Sequence, residues 1–463
     1  MYERPQEDAM RTTRDLANYI HDTQYDDIGG DVIERAKSLS LSSLGSAVTG
    51  ADMDTTRLMA RYADNVGAKG NTTVIGYDFM ATPEWGAAMN CIASHCTELE
   101  DVAWPDATYT CFLIPSVFAM GESVGASGKD VLEALILGYE VVSRSGTVTS
   151  DGGAVKRGVL TGSSMGTVGV AGAAAKLLRL DREKTLHAMA VAASFGSGLT
   201  RQTGSGAHVI EAGMAGLNGI SAAHLAADGL TGNPTILEGK AGFWDATAGC
   251  PDIDFPLGQG DDFRIMAVGM KKYPCCYLSQ RIIDGVLDIV KTNGLTADDI
   301  VEVEVGVNAV FPQILKYPDP QNAEEARFSL PHIVASAISG EDMFVDTFTA
   351  EKLRDEAILA QRKKAKMAIH EEWGRDQLGK MNTVSITTKN GERFDRECYT
   401  AKGDPSDPLS AEEISARYDR CTENRMDDRH RMETRDMLLS LETVTDVRDL
   451  MQLYRGQLSP SAQ

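Results

Sequence analysis

The run GSSMGTVGVAGAAAKLLRLD, residues 162–181, has the length of a helix and is crowded with glycine and alanine. Such a helix lets its neighbours approach closely, and so it predicts a compact all-α packing for the part of the chain that contains it. The flanking segments agree. GKDVLEALILGYEVVSR (128–144) places Asp130 to cap an apolar-periodic run, and Asp181 opens REKTLHAMAVAASFGSG in the same way. IEAGMAGLNGISAAHLAADG (210–229) ends on Gly229, a residue suited to the left-handed position that closes a helix.

The periodicity changes after Gly285. DIVEVEVGVN (299–308) alternates valine with glutamate as a half-buried strand does, and NTVSITTKNGERFDRE (382–397) alternates around Asn390-Gly391, a hairpin turn signal. Helical segments lie between them at 323–339 and 349–363. After the short GDPSDP linker (403–408), Ser410 and Glu413 stand at capping-box spacing, and 443–456 is again helix-like. A chain of 463 residues is long enough for two cores. The expectation is a mainly α protein, with a large all-helical domain at 1–268 completed by 403–463, and a smaller α+β lid domain at 269–402.

A net charge of −22, from 67 acidic and 45 basic side chains, argues against nucleic acid or an anionic membrane as a partner. MYERPQEDAMRTTRDLANYIHD lacks a signal-peptide core, and no stretch reaches the roughly 18 apolar residues of a membrane span. The chain therefore reads as soluble and cytoplasmic. The eight cysteines form no C-x-x-C pair, and no His-x-x-x-His cluster accompanies them, so neither a disulfide framework nor a metal site is expected.

No P-loop, G-x-G-x-x-G after a strand or G-x-S-x-G elbow is present. GSGAHVIEAG (204–213) reads as the start of a helix. In GMKKYPCCYLSQRIIDG (269–285), Cys275 and Cys276 are too close for an unstrained disulfide. On the residues alone, Lys271 and Lys272 read as a solvated pair on a domain-boundary loop.

Residues 71–102, 157–181, 204–219 and 270–285, followed by EEARFSLPHIVASAI (324–338), occur in an order and spacing that resemble the MmgE/PrpD family over nearly the whole chain. The resemblance implies a helical domain plus an α+β lid, usually in a homodimer. It implies proton chemistry beside a carboxylate of a small di- or tricarboxylic acid, without an obligatory cofactor. The family's K-x-Y-P motif falls on Lys271, Lys272, Tyr273 and Pro274. This implies that Lys271 faces the substrate between the domains and that Lys272 depresses its pKa or holds a carboxylate.

The departures are informative. Where relatives carry H-x-x-D-F-D-D-T, this chain has His95, Glu98, Glu100, Asp101 and Val102 in HCTELEDV, so carboxylates survive at Glu98 and Asp101. A following family His-Pro is replaced by a region offering Thr108, Tyr109 and Thr110. A further family histidine falls on Leu160. In K-x-x-H-A-G the lysine becomes His208 and the histidine Glu211; the histidine after K-x-Y-P-x-C falls on Gln280 or Cys276; and His332 stands where a tyrosine is common.

The expected site thus has Lys271, His208 and His332 as catalytic groups, and Lys272, Glu98, Asp101, Arg201 and Tyr109 as substrate contacts. His95 would orient an acid, while His187 and His224 read as core residues. The expected reaction is a dehydratase-like elimination in which Lys271 or His208 takes the proton, and the other, or His332, protonates the leaving hydroxyl. An epimerase, a decarboxylase and a non-catalytic polycarboxylate binder are the alternatives.

Overall fold

The computed structural model describes residues 11–103, 107–375 and 379–456; the extreme termini assigned to the helical domain lie outside these. The chain opens with α1 (Thr13–Asp22), α2 (Gly30–Gly50) and α3 (Asp54–Asn65). A small hairpin of β1 (Lys69–Thr73) and β2 (Met80–Ala81) leads to α4 (Pro83–Cys96), β3 (Asp101–Ala103), α5 (Thr110–Val124) and α6 (Gly128–Gly152). There follow α7 (Thr161–Leu177), α8 (Arg182–Phe195), α9 (Gly206–Ala227), the short α10 (Phe243–Ala248) and β4 (Val268–Met270).

Glycine makes this helical packing possible. A Cβ on Gly50 of α2 would sit 1.8 Å from the Ala93 carbonyl oxygen of α4, and one on Gly213 of α9 would sit 2.6 Å from Ile92. Gly138 of α6 and Gly169 of α7 face each other, each Cβ position 3.0 Å from the other's carbonyl oxygen. The small-residue run of α7 is therefore buried among α6, α8 and α9, as its composition requires. Ser127 is the cap of α6, and Asp130 is its capping-box partner rather than the cap itself. Asp181 caps α8 by accepting from the Lys184 amide, and Gly229, at φ +102°, closes α9.

The second part comprises α11 (Gln280–Asn293), β5 (Ile300–Val307), α12 (Phe311–Ile314), α13 (Ala323–Ala326), α14 (Leu330–Ile338), α15 (Ala350–Arg354), α16 (Glu356–Arg362), β6 (Ala365–Ile369), β7 (Asn382–Thr388) and β8 (Arg393–Cys398). Its sheet runs β6-β5-β7-β8, parallel between β5 and β6 and antiparallel elsewhere, with Gly391 at φ +82° in the β7–β8 turn. Both helical stretches anticipated here are broken. Ser329 caps α14 and Pro331 lies in its first turn, while Asp355 ends α15 and caps α16.

Two large cores result. One joins α1, α2 and α4 to α10 with α17 (Ala411–Thr422) and α18 (Asp428–Leu439) through Ile414, Tyr418 and Leu438, while α3 packs on α4 in a smaller cluster through Met59, Ala63 and Ile92. The other is built from Ile282 and Val286 of α11, Val303 and Val305 of β5, Val384 and Ile386 of β7, and Ile333 of α14. The fold is α-dominant with two domains. Among the described residues, no helix is long and apolar enough to cross a membrane.

Candidate active site

Where the two cores meet, a cavity of about 1150 Å³ is lined from one side by the ends of α4, α7 and α9 and from the other by residues 310–316 and Phe328. A second cavity of about 740 Å³ beside Glu133 and Lys176 contains that ion pair but no cluster of buried acids and histidines. The chemistry concentrates in the first.

Its floor is built by a small sheet. β3 pairs antiparallel with β4, Asp101 opposite Met270, and the Lys271 amide donates to the Glu100 carbonyl at 3.3 Å. Arg417 of α17 ties down both chains by donating to the carbonyls of Lys271 and Leu99. Lys271, 3 % exposed, consequently places its ammonium 2.7 Å from Glu98 Oε2 and 2.8 Å from Glu100 Oε1. Burial works to lower the lysine's pKa, but the carboxylates of Glu100 and Glu98 outweigh it and raise the value. This reverses the expected direction: the two carboxylates favour the ammonium form of Lys271, which has no lone pair with which to take a proton. Glu98 itself is held at φ +54°, a left-handed conformation that costs energy for a residue with a Cβ.

Glu100 continues the network. Burial would raise its pKa, but Lys271 and His95 together hold it below the ordinary carboxylate range. His95 Nδ1, on the last turn of α4, is 3.3 Å from Glu100 Oε1. Burial opposes its charge, yet its pKa stands well above the usual imidazole value, raised by Cys111 and Glu100. The Cys111 thiol is itself pushed up by burial and is neutral at neutral pH, so the Glu100 carboxylate carries the effect there.

The His95 ring meets the His208 ring edge-on, centroids 4.9 Å apart. His208 lies in the first turn of α9, and its Nδ1 is 3.5 Å from Glu211 Oε2, one turn further on. The other Glu211 oxygen accepts from the Leu199 amide at 2.9 Å, which fixes the carboxylate. Two imidazoles, each with its own carboxylate behind it, thus face one cavity.

Of the residues singled out from sequence, the structure brings Lys271, His208, Glu98 and Arg201 to this cavity. It places the other four elsewhere. His332 is fully buried in the smaller domain, its Nε2 2.9 Å from the Thr347 carbonyl and its Nδ1 3.0 Å from Arg362; burial first, then Arg362, push its pKa down to about 4. It is neutral and bonded, not an acid in the cleft. Lys272 points away and pairs with Asp284 at 3.0 Å with its side chain 41 % exposed. Asp101 accepts from the Thr110 amide at 3.0 Å and from the Tyr139 hydroxyl at 2.8 Å, pinning the start of α5. Tyr109 is buried against Phe112 and Tyr139.

Sequence reasoning underweighted Glu100, His95 and Glu211 and missed Lys316. The alternation at the start of β3 was a usable signal, because Glu100 and Val102 line the cavity while Asp101 turns to the other side. Leu160, at the position of a family histidine, joins Phe112, Val102 and Leu278 in an apolar wall. Gln280 stitches the Lys-Lys-Tyr-Pro turn, accepting from the amides of Lys272 and Tyr273 and donating to the Tyr273 carbonyl. His95, Glu98 and His208 bring ligand-type atoms within 4.8 Å of one another, a donor set suited to a divalent ion. Glu98 in that set is already engaged by the Lys271 ammonium.

Comparison with known proteins matches residues 14–256 to the MmgE/PrpD N-terminal domain and residues 273–443 to the MmgE/PrpD C-terminal domain. The chain is 26 % identical to cis-aconitate decarboxylase of Mus musculus, across 97 % of this chain and 94 % of that protein. It is 25 % identical to cis-aconitate decarboxylase of Homo sapiens, across 88 % and 86 %. It is 24 % identical to a cis-aconitate decarboxylase-like protein, oryM, of Aspergillus oryzae, across 96 % and 98 %.

Proposed function

The chain belongs to the MmgE/PrpD family, and from that premise we propose that it is a lyase acting on a small di- or tricarboxylic acid, with His208 as base and His95 as acid. The observation that carries this reading is the pair of imidazoles 4.9 Å apart in one cavity, one backed by Glu211 and the other by Glu100. His208 removes the proton from the carbon next to a substrate carboxylate. The carbon–oxygen bond breaks, the hydroxyl departs with a proton from the His95 imidazolium, and an alkene and water result. Lys271 holds Glu98 and Glu100 in place on the cavity floor, and the wall of Leu160, Phe112 and Leu278 limits water.

Loss of carbon dioxide is the second reading, favoured by the decarboxylase names of the relatives. The carbon–carbon bond then breaks, and His95 protonates the carbon left behind. Exchange of one carbon's proton between the two imidazoles would be an epimerisation. A homodimer belongs to the proposal as the family resemblance implies it.

The test is incubation in D₂O with citrate-, aconitate-, malate- and aspartate-like acids, followed by proton NMR. Deuterium beside a carboxylate together with a gained or lost alkene signal supports elimination. Carbon dioxide release selects decarboxylation, and exchange without net conversion selects epimerisation. Binding without any turnover would leave the site as a polycarboxylate receptor.

A further inference from the structure

Of the cations that line the cavity, Arg201 and Lys316 take no part in the proposed proton transfer. Arg201 sits on the short helical turn Thr200–Gln202 of the large domain, and Lys316 follows α12 in the smaller one. Both line the cavity that contains Lys271 and His208. Among the described residues no carboxylate pairs with either, in a chain that has 67 acidic side chains for 45 basic ones. Where acids are in such excess, two unpaired cations facing the same space mark a place kept for an anion that comes from outside.

The segments are joined so that the two cations stay together. The Tyr317 hydroxyl donates to the Thr203 carbonyl at 2.8 Å, linking the residue after Lys316 to a residue two beyond Arg201. The Tyr317 ring packs where only a glycine fits: a Cβ on Gly204 would be 2.5 Å from it, and Gly204 adopts φ +87°. The Lys316 ammonium stands 5.4 Å from the centre of that ring. Burial, and then the charge of Arg201, lower the Lys316 pKa, as expected of two cations within each other's field.

We propose that Arg201 and Lys316, one from each domain, form a two-sided clamp for a second anionic group of the ligand, a carboxylate or a phosphate, remote from the bond that reacts. The planar guanidinium offers a fork to two oxygens and the ammonium a point charge from the opposite wall. The floor is less suited to this task because Lys271 already holds Glu98 and Glu100. The clamp makes Lys316 a specificity-determining residue, and it rests on the reading of this cavity as the site for a polycarboxylate.

Titration calorimetry at low salt, with citrate and inorganic phosphate as separate probes, tests it on wild type, Arg201→Ala, Lys316→Ala and the surface control Lys366→Ala. Each clamp variant is expected to weaken the bound probe about tenfold, with the control unchanged and the difference shrinking in added salt. Citrate binding identifies a carboxylate clamp. Phosphate binding with no response to citrate leaves the clamp standing and removes the polycarboxylate reading. Selective binding without turnover likewise removes only the lyase. Wild type that binds neither probe, or clamp variants that bind as wild type does, overturns the inference.

Discussion

Lys271 Nζ lies 2.7 Å from Glu98 Oε2, and this ion pair ties the residue that follows β4 to the turn after α4. Glu100 completes the arrangement at 2.8 Å, so a lysine that family resemblance places at the reacting centre is already saturated by two buried acids. In the proposed mechanism its part is that of a charge, and proton transfer falls to the histidines.

Removing that charge should harm folding as well as turnover. Lys271→Ala leaves two buried carboxylates without their cation, which costs about 3–5 kcal/mol. Urea unfolding should register this loss, whereas a lysine acting only as a base would leave stability nearly intact when replaced.

The reverse pattern is expected for His208→Gln. Turnover should fall by about 10²–10⁴-fold, the usual contribution of a positioned base, with little change in the unfolding midpoint. Glu211→Gln should cost less, because it acts through the imidazole.

Stability should depend on pH in two opposed ways. Glu100 has a lowered folded pKa, so its contribution is present above its ordinary value of 4.5 and is lost as pH falls towards the folded value. His95 has a raised one, so its contribution is complete below 6.5 and is lost as pH rises through the folded value. Unfolding free energies across this range should decline on both sides for wild type, and Glu100→Gln should remove the acid-side decline due to this pair.

His332 offers a separate check. It is held neutral with a pKa of about 4, so the unfolded chain binds its proton first and stability falls as pH drops from 6.5 towards 4. His332→Gln should flatten that slope and cost about 1–3 kcal/mol through the lost bonds to Thr347 and Arg362. The kcat at neutral pH should stay close to wild type.

Gly50→Ala should be poorly tolerated although it adds one methyl group. The new Cβ would lie 1.8 Å from the Ala93 carbonyl oxygen, forcing α2 away from α4 at a cost of about 1–3 kcal/mol. Thermal unfolding reads this directly.

The helical bundle and the small sheet were legible because their signals are local. Glycine and alanine in α7, alternation in β5 and Asn390-Gly391 in the β7–β8 turn each state their own geometry. The site was legible only where a motif carried it. Lys271, Glu98, His208 and Arg201 reach the cavity, but the pairing that makes Lys271 an ammonium depends on β3 meeting β4, residues far apart in the chain. Asp101 turns away because successive side chains of extended backbone point to opposite sides, and Lys272 because it lies in the turn that Gln280 holds. Lys316 had no signal at all, since a lone lysine in a turn looks the same whether it faces solvent or a cavity.

In the proposed mechanism His208, and not Lys271, takes the proton. This is tested most directly by the rate at which solvent deuterium enters a converted acid, measured by proton NMR for wild type, His208→Gln and Lys271→Arg. Exchange abolished in His208→Gln and retained in part by Lys271→Arg, which keeps the charge but has no available lone pair, is the predicted result. Exchange that persists in His208→Gln and vanishes in Lys271→Arg would contradict it and return the lysine to the role of base.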